Sequence, residues 1–176
     1  LENSVDAAYR RNLQADRYDY LSPVFEQITG VGAEQMNSGD LSQVMVRVHP
    51  DDARRVAEAI ERTLSAARVH GRSEGIVEYR FSTGDGEYRW LADHFTVLAE
   101  GGRLCYRLGI VRDVTERKRF IASIEHEREF REGLLQAVSA GIAVFDGRDL
   151  RAKWANTSYR NFLEQPYRSE GSTGLR

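Results

Sequence analysis

The spacing of apolar and polar positions changes several times along the chain, and each change predicts an element. Ala7 to Arg11 reads as a short strand, Gln14-Ala15-Asp16-Arg17 as a polar turn, and Tyr18 to Leu21 as a second strand with aromatic alternation. Ser22-Pro23 then offers a capping hydroxyl followed by proline at the first helical position, so a short helix is expected from Val24 to Thr29, stopped by Gly30. Val31 to Ser42 is rich in Gly, Asn, Ser and Asp and predicts loop or short helical turns. His49-Pro50-Asp51-Asp52 opens the clearest helix, because proline and two acids suit its positive start. Val56, Ile60 and Leu64 then recur at every fourth residue as one apolar stripe, to about Arg68.

Three strands are expected next. In Ile76 to Ser82, Val77, Tyr79 and Phe81 alternate with Glu78 and Arg80, and Thr83-Gly84-Asp85-Gly86 makes a hairpin turn. Glu87 to Leu98 and Leu104 to Arg112 are long strands joined through Glu100-Gly101-Gly102. Both of their faces carry apolar residues: Trp90, Tyr106, Leu108 and Ile110 on one, Leu91, Phe95 and Val111 on the other. A sheet that is apolar on two sides calls for cover on two sides. One face needs the helices; the other needs a further helix or a partner chain.

Asp113-Val114-Thr115-Glu116 starts a second long helix, with Asp113 as cap and Glu116 where a capping-box acid belongs. The positions 117, 121, 124, 128, 131, 135 and 138 form a coiled-coil-type seam. Ile121, Ile124, Leu135 and Val138 are apolar there, whereas Arg117, Arg128 and Arg131 interrupt it. An amphipathic helix packed on its own domain is the alternative. After Gly141 the order of elements repeats: strand Ile142 to Phe145, turn Asp146 to Asp149, strand Ala152 to Ala155, then a short helix capped by Asn156 or Thr157 and running to Leu163. Leu1, Val5 and Ala7 fall on Leu134, Val138 and Ala140, and Tyr18 to Ser22 on Ala152 to Asn156. Two domains of one type joined by a helix are expected.

Composition narrows the function. Hydrophobic residues make up 41% and charged residues 30% of the 176, a globular balance, and the net charge of -2 gives no reason to expect nucleic acid as a partner. No apolar run is long enough to span a bilayer, so no membrane contact is expected. The single cysteine, Cys105, forbids an internal disulfide and suits a reducing cytoplasm. The absence of an initiating Met and the abrupt end suggest a piece of a longer protein.

Tyr20-Leu21-Ser22-Pro23, Val48-His49-Pro50-Asp51-Asp52, the hairpin Asp85-Gly86-Glu87-Tyr88-Arg89-Trp90 and the stretch Gly109 to Lys118 together resemble the PAS family, in its variant with a C-terminal PAC segment. The most specific piece is the Asp-x-Thr exit motif, Asp113-Val114-Thr115. The resemblance covers Leu1 to about Arg119, and weakly Leu134 to about Leu163. It implies an α+β PAS fold, with a five-stranded antiparallel sheet in the order 2-1-5-4-3 flanked by helices and followed by a long signalling helix. The division expected is a PAS/PAC domain at 1–115, a linker helix at 116–138 and the beginning of a second PAS domain at 139–176. It also implies a pocket between sheet and helices, a parallel homodimer and an effector domain in the same chain.

By the same resemblance Leu91, Asp93, Phe95, Arg107, Gly109 and Val111 face the pocket, and Val56, Ile60, Tyr79 and Phe81 close its other walls. Asp93 and Arg107 then share an apolar space where a charge needs a partner. Either they pair with each other, or Arg107 uses its forked donors on a carboxylate or similar anionic ligand. No cofactor or a small organic ligand is expected. The flavin-reactive Asn-Cys-Arg-Phe run is missing, since Cys105 sits on a strand. His49, which haem or a metal would need, has a sufficient reason to be where it is in the helix start. Glu125-His126-Glu127-Arg128 lacks the proline that usually follows a phosphorylated histidine and reads as a solvated helix face. No catalytic grouping stands out, so no enzyme activity is expected of this chain. Asp113, Thr115 and Glu116 are the expected relay residues. Trp90, Tyr106, Leu108, Ile110, Ile121 and Ile124 form the expected dimer or helix-cover face. The expected role is sensory input and relay, in a sensor histidine kinase, with a diguanylate cyclase or phosphodiesterase, or a ligand-free dimerisation spacer, as alternatives.

Overall fold

The structure, a computed structural model, describes residues 6–38, 41–147 and 152–164. Leu1 and Val5 of the expected repeat, Arg148 and Asp149 of the expected turn, and the chain beyond Glu164 lie outside the described residues. The chain divides into two units, Leu1–Arg119 and Phe120–Arg176.

In the first unit, β1 (Ala7–Asn12), β2 (Arg17–Leu21), β3 (Arg72–Ser82), β4 (Tyr88–Glu100) and β5 (Arg103–Asp113) form one antiparallel sheet in the order β2-β1-β5-β4-β3. Between β2 and β3 lie α1 (Pro23–Thr29), α2 (Ala33–Met36), α3 (Leu41–Met45) and α4 (Pro50–His70). The sheet order and flanking helices are those the resemblance implies. The apolar stripe of α4 packs Val56 and Ile60 into the same core as Phe25, Phe81, Leu91 and Val111.

Local chemistry sets the boundaries. Ser22 Oγ accepts the N–H of Val24 at 3.3 Å, with Pro23 opening α1, and Gly30 ends it in the left-handed region at φ 67°. His49 Nδ1 accepts the N–H of Asp51 at 3.2 Å, so this histidine caps α4. Val31–Ser42 holds α2 and the start of α3, as the expected loop or short helical turns, and α3 runs on to Met45. Other boundaries differ from expectation. α4 continues to His70, two residues past Arg68. β3 begins at Arg72 rather than Ile76, because Gly71 turns the chain at φ 76° and Arg72 to Gly75 pair directly with Leu98 to Phe95. Their polar composition hid a strand whose stability comes from its neighbour.

Asp52 ties α4 to the sheet. Its carboxylate accepts the backbone N–H of Arg80 at 3.0 Å, Arg80 Nε at 2.8 Å and Arg55 Nη2 at 3.1 Å. Burial alone would raise this carboxyl, but the bonds from Arg80 and Arg55 outweigh it and hold it well below its ordinary value. A depressed carboxyl contributes stability above its unfolded pKa of about 4 and loses it as pH falls. Asp52→Asn is therefore expected to cost about 1–2 kcal/mol at neutral pH. Urea unfolding from pH 7 down to pH 2 should show the gap to wild type closing below about pH 4; a constant gap would contradict the assignment.

In the second unit, β6 (Ala143–Phe145) and β7 (Ala152–Ala155) pair antiparallel, followed by α6 (Thr157–Glu164). The unit also holds most of α5 (Thr115–Ala137), whose first turn belongs to the first unit. The β6–β7 register matches that of β1–β2. Ala143 faces Ala155 as Tyr9 faces Leu21, and Val144 faces Trp154 as Arg10 faces Tyr20. Each pair then carries a bulge, after which Phe145 faces Ala152 as Arg11 faces Tyr18. The N–H of Asn156 donates to the Ile142 carbonyl at 2.9 Å, as that of Ser22 does to Ala8 at 2.8 Å. Asn156 itself is fully buried: its amide donates to the Leu135, Val138 and Ala140 carbonyls and its oxygen accepts from Ile142 and Tyr159.

Candidate ligand pocket and helix junction

The cavity of the first unit lies between the inner sheet face and α1–α4 and encloses about 30 Å³ of free space. Ligand pockets usually span roughly 300–1,000 Å³, whereas this space suits an occupant of a few atoms. Of the residues expected to face it, Val56, Ile60, Tyr79, Phe81, Asp93, Arg107 and Val111 line it. Leu91 and Phe95 are buried in the adjoining core instead. Gly109 does not reach the cavity because Tyr9 covers it: a Cβ at Gly109 would lie 2.5 Å from the Tyr9 ring. Tyr9, Tyr18, Leu21, Phe25, Met36, Val44, Met45 and Val48 complete the walls, and sequence reasoning did not place them there. The signal was present, since Ala7, Tyr9 and Arg11 alternate along β1 and are all buried.

Arg107 and Asp93 meet inside this cavity wall. Arg107 Nη2 donates to Asp93 Oδ2 at 2.5 Å, and the Tyr9 hydroxyl bridges both Asp93 oxygens at 3.1 Å. The guanidinium stacks 4.0 Å from the centre of the Phe95 ring. Burial pushes the Asp93 carboxyl above its ordinary value, against the opposing pull of Arg107 and Tyr9. Burial also raises the Tyr9 and Tyr79 phenols well above theirs, so both remain hydroxyl donors at neutral pH.

Four residues beyond the last of these pocket positions on β5, the chain enters α5, and the junction is fastened to β4. The N–H of Val114 donates to the Trp90 carbonyl at 2.8 Å, and the N–H of Trp90 donates to Thr115 Oγ1 at 2.9 Å. Asp113 accepts the N–H of Thr115 at 2.8 Å and Arg89 Nη1 at 2.9 Å. The expected reciprocal box between Asp113 and Glu116 is thus replaced by a tighter turn two residues long, and Glu116 is exposed on the first turn of α5. Glu78 of β3 pairs with Lys118 at 2.6 Å and with Arg117, which together hold its carboxyl below its ordinary value. Lys118 also lies 4.8 Å over the Trp90 ring, and Arg80 5.4 Å from it.

On the outer sheet face Tyr106 and Ile110 remain 36% and 49% exposed, with Leu108 half-buried between them. On α5, Ile121 and Ile124 are exposed as well. Among the described residues, no group of His, Cys, Asp and Glu could hold a metal ion, and no helix is long and apolar enough to cross a membrane.

A sequence model of the family described as PAS fold matches residues 18–111, from within β2 to within β5. The chain belongs to the PAS family. A sensory box histidine kinase/response regulator from Burkholderia thailandensis is similar at 27% identity, over 73% of this chain and 92% of that one, with a TM-score of 0.60. The N-terminal domain of a diguanylate cyclase with PAS/PAC sensor from Marinobacter aquaeolei shares the fold at 19% identity and a TM-score of 0.57, over 65% and 99% of the two chains. No curated protein matches the chain. PAS domains are sensory rather than catalytic modules.

Proposed function

We propose that the PAS domain is the input module of a multidomain signalling protein. In this reading the state of its pocket is relayed through β5 into α5. The observation that carries it is the continuity of β5: the strand contributes Arg107 and Val111 to the cavity wall and ends in the Asp113–Thr115 turn that starts the helix. A shift of β5 against β4 would strain the bonds of Trp90 with Val114 and Thr115, and so move the helix start. The matching register of β6–β7 and β1–β2 supports a second PAS domain beginning after α5. The exposed Tyr106, Ile110, Ile121 and Ile124 support a homodimer, and in this reading an effector domain lies in the same chain. A sensor histidine kinase is the preferred parent because the similar protein at 27% identity is one; a diguanylate cyclase is the alternative. The small cavity favours a second reading, a ligand-free dimerisation spacer.

Thr115→Val tests the relay. It removes the acceptor of the Trp90 N–H and should cost about 1 kcal/mol of stability. Ser22→Ala removes a helix cap remote from the junction at a similar cost of about 1 kcal/mol. In the full-length protein, Thr115→Val is expected to change output several-fold and Ser22→Ala to leave it unchanged. Output is read as phosphohistidine formed from ATP, or as cyclic dinucleotide formed from GTP. Equal output from the two variants would favour the spacer.

A further inference from the structure

Tyr79 and Phe81 of β3 line the cavity, and the residues that alternate with them, Glu78 and Arg80, belong to the opposite face of the sheet. β3 is an edge strand, so one side of its backbone has no long strand beside it. On that side the start of α4 holds it at three points. Arg55 Nη1 donates to the Glu78 carbonyl at 2.5 Å, the Arg80 N–H donates to Asp52 at 3.0 Å, and the N–H of His49 donates to the Arg80 carbonyl at 2.9 Å. α4 also carries Val56 and Ile60 into the cavity wall. A displacement of α4 by an occupant of the cavity is therefore passed to residues 78–80 without going through β5.

The side chains of the same two residues meet the start of α5. The Glu78 carboxylate accepts Lys118 Nζ at 2.6 Å and is also paired with Arg117. Lys118 and Arg80 both lie against the Trp90 ring, whose backbone holds Val114 and Thr115. Partly exposed ion pairs are individually weak. Such a clasp sets the position of α5 and yet yields to a small shift of β3, and because one carboxylate serves two cations, that shift loosens both together. We propose that Glu78 is a positioning residue for α5, joining the cavity helix α4 to the helix start by a second route along the edge of β3. The proposal rests on the sensory reading given above and adds to it a path separate from β5.

Glu78→Gln keeps the side-chain length and removes the charge that holds Arg117 and Lys118. In the full-length protein it is expected to change output several-fold, read as phosphohistidine or cyclic dinucleotide. Glu74→Gln breaks another exposed pair on the same strand, with Arg72 at 2.7 Å, and should leave output unchanged. Arg55→Met frees the Glu78 carbonyl from α4 and should change output as well. The double variant Arg55→Met with Glu78→Gln is expected to match Glu78→Gln alone, because both changes cut one path. Output from Glu78→Gln no different from that of Glu74→Gln, or effects of Arg55→Met and Glu78→Gln that multiply independently, would overturn the second route. Thr115→Val separates this result from the relay through β5. A change with Thr115→Val and none with Glu78→Gln removes the Glu78 path alone; output unmoved by either variant removes the sensory reading with it.

Discussion

Replacing Asp93 by alanine is expected to destabilise the PAS domain by about 3–5 kcal/mol, the usual cost of leaving one member of a buried ion pair alone. Arg107 stays charged and almost wholly buried, its side chain only 9% exposed. The Tyr9 hydroxyl loses both of its acceptors in the same step. Removing both charges together should be far milder. Asp93→Leu combined with Arg107→Met fills the site with apolar volume, and such exchanges are often close to neutral. Urea unfolding followed through Trp90, with Trp154 replaced by phenylalanine, measures both variants in the first unit. A single variant no less stable than the double would contradict the buried pair.

Gly109→Ala is the second large effect, expected at about 2–3 kcal/mol from overpacking. The cause is steric, since Gly109 does not occupy the left-handed region. The new methyl would lie 2.5 Å from two Tyr9 ring carbons and 2.6 Å from its hydroxyl oxygen. Tyr9 cannot step aside: Asp93 holds its hydroxyl, and Tyr18 packs edge-on against its ring at 5.7 Å. Shortening that ring should relieve the clash. Tyr9→Leu in the Gly109→Ala background is therefore expected to cost less than it does alone, a coupling read from a double-mutant cycle in the same urea assay. Strictly additive losses would mean that the glycine serves another purpose.

Much of the fold was legible because its signals are local. Ser22-Pro23, His49-Pro50 and Thr83-Gly84-Asp85-Gly86 each fix a turn or helix start by their own chemistry. The stripe Val56, Ile60, Leu64 needs only its period. The start of β3 was hidden for the opposite reason: Arg72 to Gly75 are strand only because β4 pairs with them. In the pocket, the Asp93–Arg107 contact followed from the family resemblance, which put both on facing strands. Tyr9 and Arg11 were not foreseen, although they alternate with Ala7 on β1. An arginine near a strand end ordinarily reaches water, and only the assembled sheet, with β5 alongside and Tyr18 beneath, buries it. Gly109 was placed on the correct face, but the tyrosine that occupies the space before it comes from a strand about a hundred residues earlier.

The coupling of pocket strand to helix start is tested most directly by native-state hydrogen exchange at Val114, whose N–H is bonded to the Trp90 carbonyl. If the junction moves with the sheet, this amide opens with the same free energy as the central amides of β4 and β5, and Asp93→Ala lowers both by the same amount. An amide at Val114 that exchanges by local fraying, far faster than the sheet and unmoved by Asp93→Ala, would show that α5 is not mechanically joined to the pocket.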